Sequence, residues 1–470
     1  MNHQVRNPRT GKYDYSFPIL DNNAVENICK QLKDNQLGWQ FRDIEYRIDV
    51  LQRWKMALEK HRSAIIDALT VDTGRHSESV LEVQILFNSI DRWCDTSRLF
   101  FAEQIIKKSA IPFIEIYQEV VPYRLVGVIS PWNFPLLLSI IDTLPALLAG
   151  SAVIVKPSEV TPRFIEPLAK SIAEVPELAA IFAYIAGDGQ QGAALIQNAD
   201  ILCFTGSVAT GRKVYATCAE LFKPCFLELG GKDAALVFEG ADLDHAAASL
   251  LWGSSVNCGH SCLSIERIYV EESIFDAFLE KIVAKAQKLK LAYPSVFDGQ
   301  IGPVISEKQV AIIDEHLKDA LEKGAKIHTG VGHCEEKDGG IYCFPTILTN
   351  VDDSMLILTE ETFGPIMPIS SFKTEAEAVA LANGTVFGLS AAVFAETWEK
   401  AYRIGQQLEA GAISINDSAL TAIIHDGEKN SFKMSGIGGT RMGPSAIKRF
   451  MRQKAFLVKK QAVASPWWFQ

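Results

Sequence analysis

Two hydrophobic periods share this 470-residue chain. Over residues 24–73 apolar and charged side chains recur at helical spacing, as in YRIDVLQRWKMALEKHRSAIIDALTVDT, and Gly74 follows as a stop. The same spacing continues over 84–101. At 111–121 the period changes to two: Ile114, Ile116 and, less regularly, Val120 face one way, with Glu115, Tyr117 and Glu119 between them. That pattern predicts a strand with one wet face, and Pro112 and Pro122 beside it predict an edge or an arm that pairs with another subunit.

Short continuous apolar runs follow at 126–130, 152–155, 183–186 and 201–204, with helical stretches between them. Such alternation predicts a doubly wound parallel sheet in an α/β fold. The longest apolar run, 136–155, is long enough to raise the membrane question. Asp142, Pro145, Gly150 and Ser151 interrupt it, so it reads as a buried helix followed by a buried strand, with no membrane partner. Beyond Asp233 the alternation restarts, with strands predicted at 234–238, 267–270 and 344–349 and helices at 273–291 and 306–323. This is a second α/β domain, and a last strand is predicted at 455–459. The aromatics Trp467, Trp468 and Phe469 predict an interface or a cover over a neighbouring surface.

Composition narrows the class. A hydrophobic share of 48% with 22% charged residues is that of an ordinary globular protein, and the length predicts two or three domains. The net charge of −10 argues against nucleic acid as a partner. The first residues are polar and lack the apolar run of a secretory signal. Nine cysteines without a CxxC then read as reduced thiols in the cytoplasm.

Candidate chemistry centres on the segment 252–270, WGSSVNCGHSCLSIERIYV. Cys262 there has the context of a thiol nucleophile, with Asn257, Gly259 and Arg267 as supports. Glu228, in LELGGKD at 227–233, lies 34 residues before it (262 − 228). The two can meet only across a fold, as a nucleophile acting on a carbonyl and its general base. Asn133, between two prolines in PWNFP, reads either as the N-cap of the following helix or as a rigid donor to an oxyanion. Lys156 and Glu159, in KPSE at a strand end, suit either the two hydroxyls of an adenosine ribose or a solvated turn. The turn at Thr205-Gly206-Ser207 offers backbone N–H groups to phosphate, or is an ordinary strand–helix turn. A formal GxGxxG at 187–192 is discounted, because half the sheet has already passed and Asp200 comes too early for its acidic ribose partner. Thr359–Pro365 reads as a rigid turn carrying an acid and an aromatic, and 433–439 as a flexible glycine-rich loop. Cys258, His260 and Cys262 are spaced as C-x-H-x-C, but no fourth ligand is evident and a metal would block the nucleophile, so no metal is expected. Reversible oxidation of Cys258 with Cys262 is a minority reading of that pair, better than a metal site.

Eight motifs in order then carry a family likeness: PWNFP (131–135), KPSE (156–159), FTGS (204–207), LELGGKD (227–233), the Cys262 segment, EETFGP (360–365), FGLSA (387–391) and KMSG (433–436). With them the chain resembles the aldehyde dehydrogenase superfamily from about residue 5 to 460. The resemblance implies a Rossmann-like cofactor domain (1–108 and 123–230), a second α/β catalytic domain (231–432) and a small β oligomerisation arm with the tail (109–122 and 445–470), assembled as a homodimer or homotetramer. It implies oxidation of a small-molecule aldehyde to the acid through a thiohemiacetal and a thioester on Cys262, with Asn133 and the Cys262 N–H on the oxyanion and Glu228 activating water. Lys156 and Glu159 look like adenosine-ribose contacts, Gly206 and Ser207 like the pyrophosphate turn. Glu361 and Phe363 look like the nicotinamide-ribose and ring supports, and Trp132 like a further cofactor contact. Glu159 favours NAD over NADP, since a carboxylate accepts from a ribose hydroxyl and repels a 2′-phosphate. The presence of Glu228 favours hydrolysis over the alternative of acyl transfer to coenzyme A. A non-enzymatic binding role on the same fold is disfavoured by the full set of Cys262, Glu228, Asn133 and Lys156.

Two departures from the family are visible. His260 stands where the family usually has Gln, and Glu428-Lys429-Asn430-Ser431-Phe432 replaces its glycine-rich approach to KMSG. Phe134, Leu138, Val256, Ser261 and Leu263 are expected to line a mainly apolar tunnel, which leans toward aromatic or medium aliphatic aldehydes.

Overall fold

The structure is a computed structural model, and it describes residues 2–102, 106–111, 113–462, 464 and 465. Three sheets organise it.

The first half is built as its apolar pattern requires. Helices Asn22–Trp39 and Ile44–Thr73 are capped by Asp21 and Asp43, whose carboxylates accept from Ala24 and Tyr46 N–H. Gly74, left-handed at φ 71°, ends the second. The third helix, His76–Ala102, starts earlier than its apolar spacing suggests. These helices pack on a six-stranded sheet ordered Gly436–Ile437, Cys225–Glu228, Ile201–Thr205, Leu125–Ile129, Ala152–Lys156, Phe182–Tyr184. Five strands are parallel, and only Gly436–Ile437 runs against its neighbour. Successive strands leave Leu125–Ile129 on both sides, so a topological switch point lies beside it. Ligands of such sheets bind at the carboxyl ends of the strands there.

The run at 136–155 is not one helix but two, Pro135–Ile140 and Thr143–Ala149, followed by the strand Ala152–Lys156. The break falls at Asp142, whose buried carboxylate pairs with Arg441 at 2.7 Å and Arg449 at 3.1 Å. Among the described residues no helix is long and apolar enough to cross a membrane.

The second sheet has seven strands: Lys326–Ile327, Thr346–Thr349, Ile366–Phe372, Ile265–Glu271, Asp233–Val237, Ser390–Phe394 and Ala412–Ile415. All but the first are parallel. Separate apolar clusters cover its faces, one around Ala235, Phe278 and Phe394 and one around Leu236, Phe372 and Ile404.

The third sheet pairs Met451–Lys459 with Ile114–Pro122 over nine residues, antiparallel, and Ile106–Lys108 with the far side of the same strand. The last strand is thus longer than 455–459. Pro112 and the aromatic tail at 467–469 lie outside the described residues. The segment 433–439 is less free than its glycines suggest, since Phe432–Lys433 pairs with Phe387–Gly388 and Gly436–Ile437 with Leu227–Glu228.

Candidate active site

A cavity of about 200 Å³ opens where the two large sheets face one another, and Cys262, Glu228 and Asn133 all line it. Each arrives from a different element. Glu228 ends the strand Cys225–Glu228. Asn133 follows the strand Leu125–Ile129 through Pro131. Cys262 sits on the turn that enters Ile265–Glu271.

The turn before the nucleophile is wound left-handed at three successive residues, Asn257 (φ 58°), Cys258 (φ 55°) and Gly259 (φ 70°). L side chains disfavour that region, so the surroundings must hold it. At Gly259 a Cβ would lie 2.2 Å from the Gly364 carbonyl carbon, so the turn can press against 360–365 only with glycine there. Asn257 does most of the fixing. Its Nδ2 donates to the carbonyls of Asn133 (2.8 Å) and His260 (2.9 Å), and its Oδ1 accepts from Arg75.

Arg75 is buried, and it was not legible as a site residue. Its Nη2 lies 2.7 Å from His260 Nδ1 and 3.2 Å from the Pro303 carbonyl oxygen. A guanidinium only donates, so His260 Nδ1 accepts and its ring proton belongs on Nε2. Burial and the nearby Arg75 charge hold the His260 pKa well below the usual imidazole value. The neutral ring is enclosed by Trp132 (5.1 Å between centroids) and stacks on Phe363 (5.8 Å).

Asn133 does not cap a helix. The helix at Pro135–Ile140 has no side-chain cap at its N-cap residue Phe134, and Glu82 instead accepts from Leu136 and Leu137 N–H at 2.9 and 2.8 Å. The Asn133 amide donates one N–H to the His260 carbonyl at 3.0 Å, which orients it and leaves its second donor for the cavity. The Cys262 N–H has no protein acceptor among the described residues. Burial pushes the Cys262 thiol up to about 12, against an opposing pull from Lys429.

Glu228 is held by residues of the unfamiliar segment 428–432. Ser431 Oγ donates to its Oε2 at 2.8 Å, and Lys429 Nζ stands 3.9 Å from the same oxygen. Glu361 accepts from Gly231 N–H at 3.1 Å, and burial raises its carboxyl to about 8. The turn carrying Glu361 and Phe363 is fixed by Glu266, which accepts from Thr362 and Phe363 N–H at 2.8 Å each and pairs with the buried Lys232 at 2.6 Å. Arg267 anchors the next strand by donating to the carbonyls of Lys232, Leu381 and Ala382, each at 2.9 Å.

A second, larger cleft of about 620 Å³ lies at the carboxyl ends of the first sheet. Lys156 and Glu159 line it, 3.2 Å apart, with Gly206 and Ser207. Ser207 caps the helix Val208–Glu220, whose N-terminus therefore points at the cleft. The Gly206 N–H is committed to the Glu228 carbonyl at 3.1 Å, so donors for an anion come from the first helical turn and not from Gly206. Asp188, Gly189 and Gly192 also border this cleft, so the discounted glycine segment does adjoin it. There Asp188 and Gln191 form a capping box on the helix Gly189–Asn198. Cleft and cavity share Pro131, Trp132, Thr205, Gly206 and Ser207, and so form one continuous space. A long cleft at a switch point, with a helix N-terminus, a buried lysine and a carboxylate at its far end, fits a dinucleotide.

The expected substrate lining is met only in part. Leu138 borders the cavity, with Gln309 and Ile312 from the helix Glu307–Glu322, which carried no local signal. Phe134, Val256, Ser261 and Leu263 are not among the lining residues. Ser261 Oγ is turned back to accept from Leu263 N–H at 3.2 Å, which points it into its own turn. Cys258 packs in an apolar cluster with Ile301, Val304 and Leu348, while Cys262 faces the cavity; this separates the proposed redox pair. Among the described residues no cluster of three or more His, Cys, Asp or Glu is arranged to hold a metal ion.

Comparison with known proteins bears on this geometry. The sequence pattern of the Aldehyde dehydrogenase family matches residues 1–456. The succinate-semialdehyde dehydrogenase [NADP(+)] GabD of Escherichia coli is 31% identical over 445 residues, covering 93% of this chain and 91% of its own. PutA of Anabaena variabilis, provisionally described as an aldehyde dehydrogenase, superposes with a TM-score of 0.98 at 53% identity over all of both chains. Betaine aldehyde dehydrogenase of Staphylococcus aureus, solved with NAD+, superposes with a TM-score of 0.93 at 28% identity over 100% of this chain and 94% of that one.

Proposed function

Because the chain belongs to the aldehyde dehydrogenase family and so oxidises an aldehyde to the acid with a nicotinamide cofactor, we propose that Cys262 is its nucleophile, Glu228 its general base and Asn133 its oxyanion donor. The continuity of the Cys262 cavity with the Lys156–Glu159 cleft carries this reading, because a hydride acceptor in the cleft can reach a carbon bonded to the sulfur.

Cys262 gives its thiol proton to water in the cavity, and the Sγ thiolate attacks the aldehyde carbon. The carbonyl π pair moves to oxygen, where the free Asn133 N–H and the Cys262 N–H receive it. The dinucleotide, when bound, supplies the hydride acceptor that lets the thiohemiacetal collapse to a thioester. Glu228 then takes a proton from water, the hydroxide adds to the thioester, and Cys262 leaves as thiolate with release of the acid. Arg75, Asn257 and His260 keep the donor and the nucleophile in register.

Glu159 supports NAD as the preferred cofactor. Its carboxylate at the cleft edge is held by Lys156, and would repel a 2′-phosphate. The related enzymes differ on this point, GabD being named for NADP(+) and the betaine enzyme having been solved with NAD+. The three-stranded arm supports a homodimer or homotetramer, because it presents Leu457, Phe456 and Val120 to solvent, Leu457 at 71% exposure. The three sheets support a division into a cofactor domain (1–108 and 123–230), a catalytic domain (231–432) and an arm (109–122 and 445–470), apart from Ile106–Lys108, which pairs with the arm, and Gly436–Ile437, which joins the first sheet. Nine unbridged cysteines support the cytoplasm.

The deciding experiment follows reduced-cofactor formation over a panel of aldehydes, with and without coenzyme A, for the native protein and Cys262→Ser. Oxidation without coenzyme A that is lost in the serine variant is the expected result. A serine variant with the native rate would overturn the assignment of the nucleophile, and a strict need for coenzyme A would overturn that of Glu228.

A further inference from the structure

The segment 428–432 is where this chain departs from the family pattern, and it brings an ammonium beside Glu228. The segment is fixed from several sides. Glu428 accepts from Ser445 N–H at 2.8 Å, Lys429 N–H donates to Thr440 Oγ1 at 3.0 Å, and Phe432 pairs with Gly388. A Cβ at Gly411 would fall 1.5 Å from the Asn430 carbonyl oxygen, so the backbone passes that point in close contact.

Held this way, Lys429 keeps its side chain 7% exposed. Its Nζ is 3.9 Å from Glu228 Oε2, too far for a hydrogen bond, and among the described residues it donates to no acceptor. A largely buried ammonium needs an anion near it, and Glu228, in ion-pair range, borders the same cavity as Cys262. The charged side chains acting most strongly on the Cys262 sulfur are Lys429, Glu361, Asp233 and Glu228, one cation among three carboxyls. Burial raises Asp233 to about 7 and Glu361 to about 8, which lessens their charge without supplying a positive one.

We infer that Lys429 is a positioning residue which serves as the counter-cation of the Cys262 thiolate while holding the Glu228 carboxylate beside it. The inference rests on Cys262 being the nucleophile. Its physical content is that a thiolate among three carboxyls needs one fixed positive charge, and that the replaced segment provides it.

The test uses the whole protein without cofactor. Alkylation of Cys262 by iodoacetamide is followed by mass spectrometry of its peptide across a pH series, for the native protein, Lys429→Met, Lys429→Gln and Lys429→Arg. An opposite charge within about 4–6 Å moves a pKa by about one to three units, so the rate at pH 8 should fall about tenfold or more in the Met and Gln variants. Lys429→Arg should restore most of it. Unchanged alkylation in whichever of the Met and Gln variants keeps the native melting temperature would overturn the inference. So would unchanged alkylation with a KM raised tenfold for an anionic aldehyde and not for a neutral one, which would make Lys429 a substrate contact. The titration needs no turnover, so it can fail while the Cys262→Ser result stands, and the reverse.

Discussion

Nη2 of Arg75 lies 2.7 Å from Nδ1 of His260, with both side chains buried. The same guanidinium reaches Asn257 Oδ1 and the Pro303 carbonyl, so one side chain ties the left-handed turn before Cys262 to the core. Arg75→Ala would leave three buried acceptors without a donor. We expect it to cost at least about 3 kcal/mol of stability, with three unpaired buried groups at roughly 1–3 kcal/mol each. We also expect at least a hundredfold loss of kcat/KM, read by melting and steady-state kinetics. His260→Gln should stay within a few-fold of native, because a Gln Oε1 can accept from Arg75.

Glu228→Gln separates the two halves of the reaction. Nothing in acylation needs that carboxylate, whereas deacylation needs its proton affinity. Rapid mixing with aldehyde and cofactor should show a burst of reduced cofactor near one equivalent per site. The steady rate after it should be lower by about a hundredfold or more. A linear trace without a burst would contradict this role.

Glu159→Gln should change cofactor choice and leave the chemistry alone. Removing the carboxylate removes its repulsion of a 2′-phosphate. The ratio of kcat/KM for NADP to that for NAD should rise about tenfold, equivalent to about 1.4 kcal/mol. Rates at saturating NAD should be unchanged. Equal use of both cofactors by the native protein would refute the preference for NAD.

Stability should fall as pH rises from about 4.5 to 8, and part of that slope belongs to Glu82. Burial raises the Glu82 carboxyl to about 8, while in the unfolded chain it titrates near 4.5. Between those values the folded protein holds a proton that the unfolded chain has lost. The stability it confers is complete below about 4.5 and is lost as pH climbs through 8, at up to about 1.4 kcal/mol per unit. Asp72, raised to about 7, acts in the same sense. Melting temperatures of Glu82→Gln between pH 5 and 8 should therefore decline less steeply than those of the native protein.

What could be read from residues alone follows a physical line. Strands buried on both faces, such as Ala152–Lys156 and Ile201–Thr205, announce themselves as apolar runs, and Gly74 marks a helix end through its φ. Cys262, Glu228 and Asn133 were legible because each sits in a short motif whose chemistry is local. Arg75 and Gln309 were not, because each is placed by partners far along the chain, such as Asn257 182 residues away and the Thr362 carbonyl 53 residues away. Asp142 was visible as an interruption, but that it divides the helix in two was hidden for the same reason, since its partners are arginines that arrive 299 and 307 residues later. Lys429 was visible only as a departure from pattern. The tunnel residues were chosen by nearness to Cys262 along the chain, and a turn that reverses direction sends such neighbours elsewhere, as Ser261 illustrates.

The edge beside Glu228 is closed by Gly436, a residue synthesised 208 positions later (436 − 228). At about 5–20 residues per second, a growing chain carries an unpaired strand for roughly 10–40 s before its partner leaves the ribosome. Throughout that interval the Glu228 carboxylate lacks Lys429 and Ser431, which reach it only when the last strand of this sheet arrives. That open edge is also where a chaperone would be needed most.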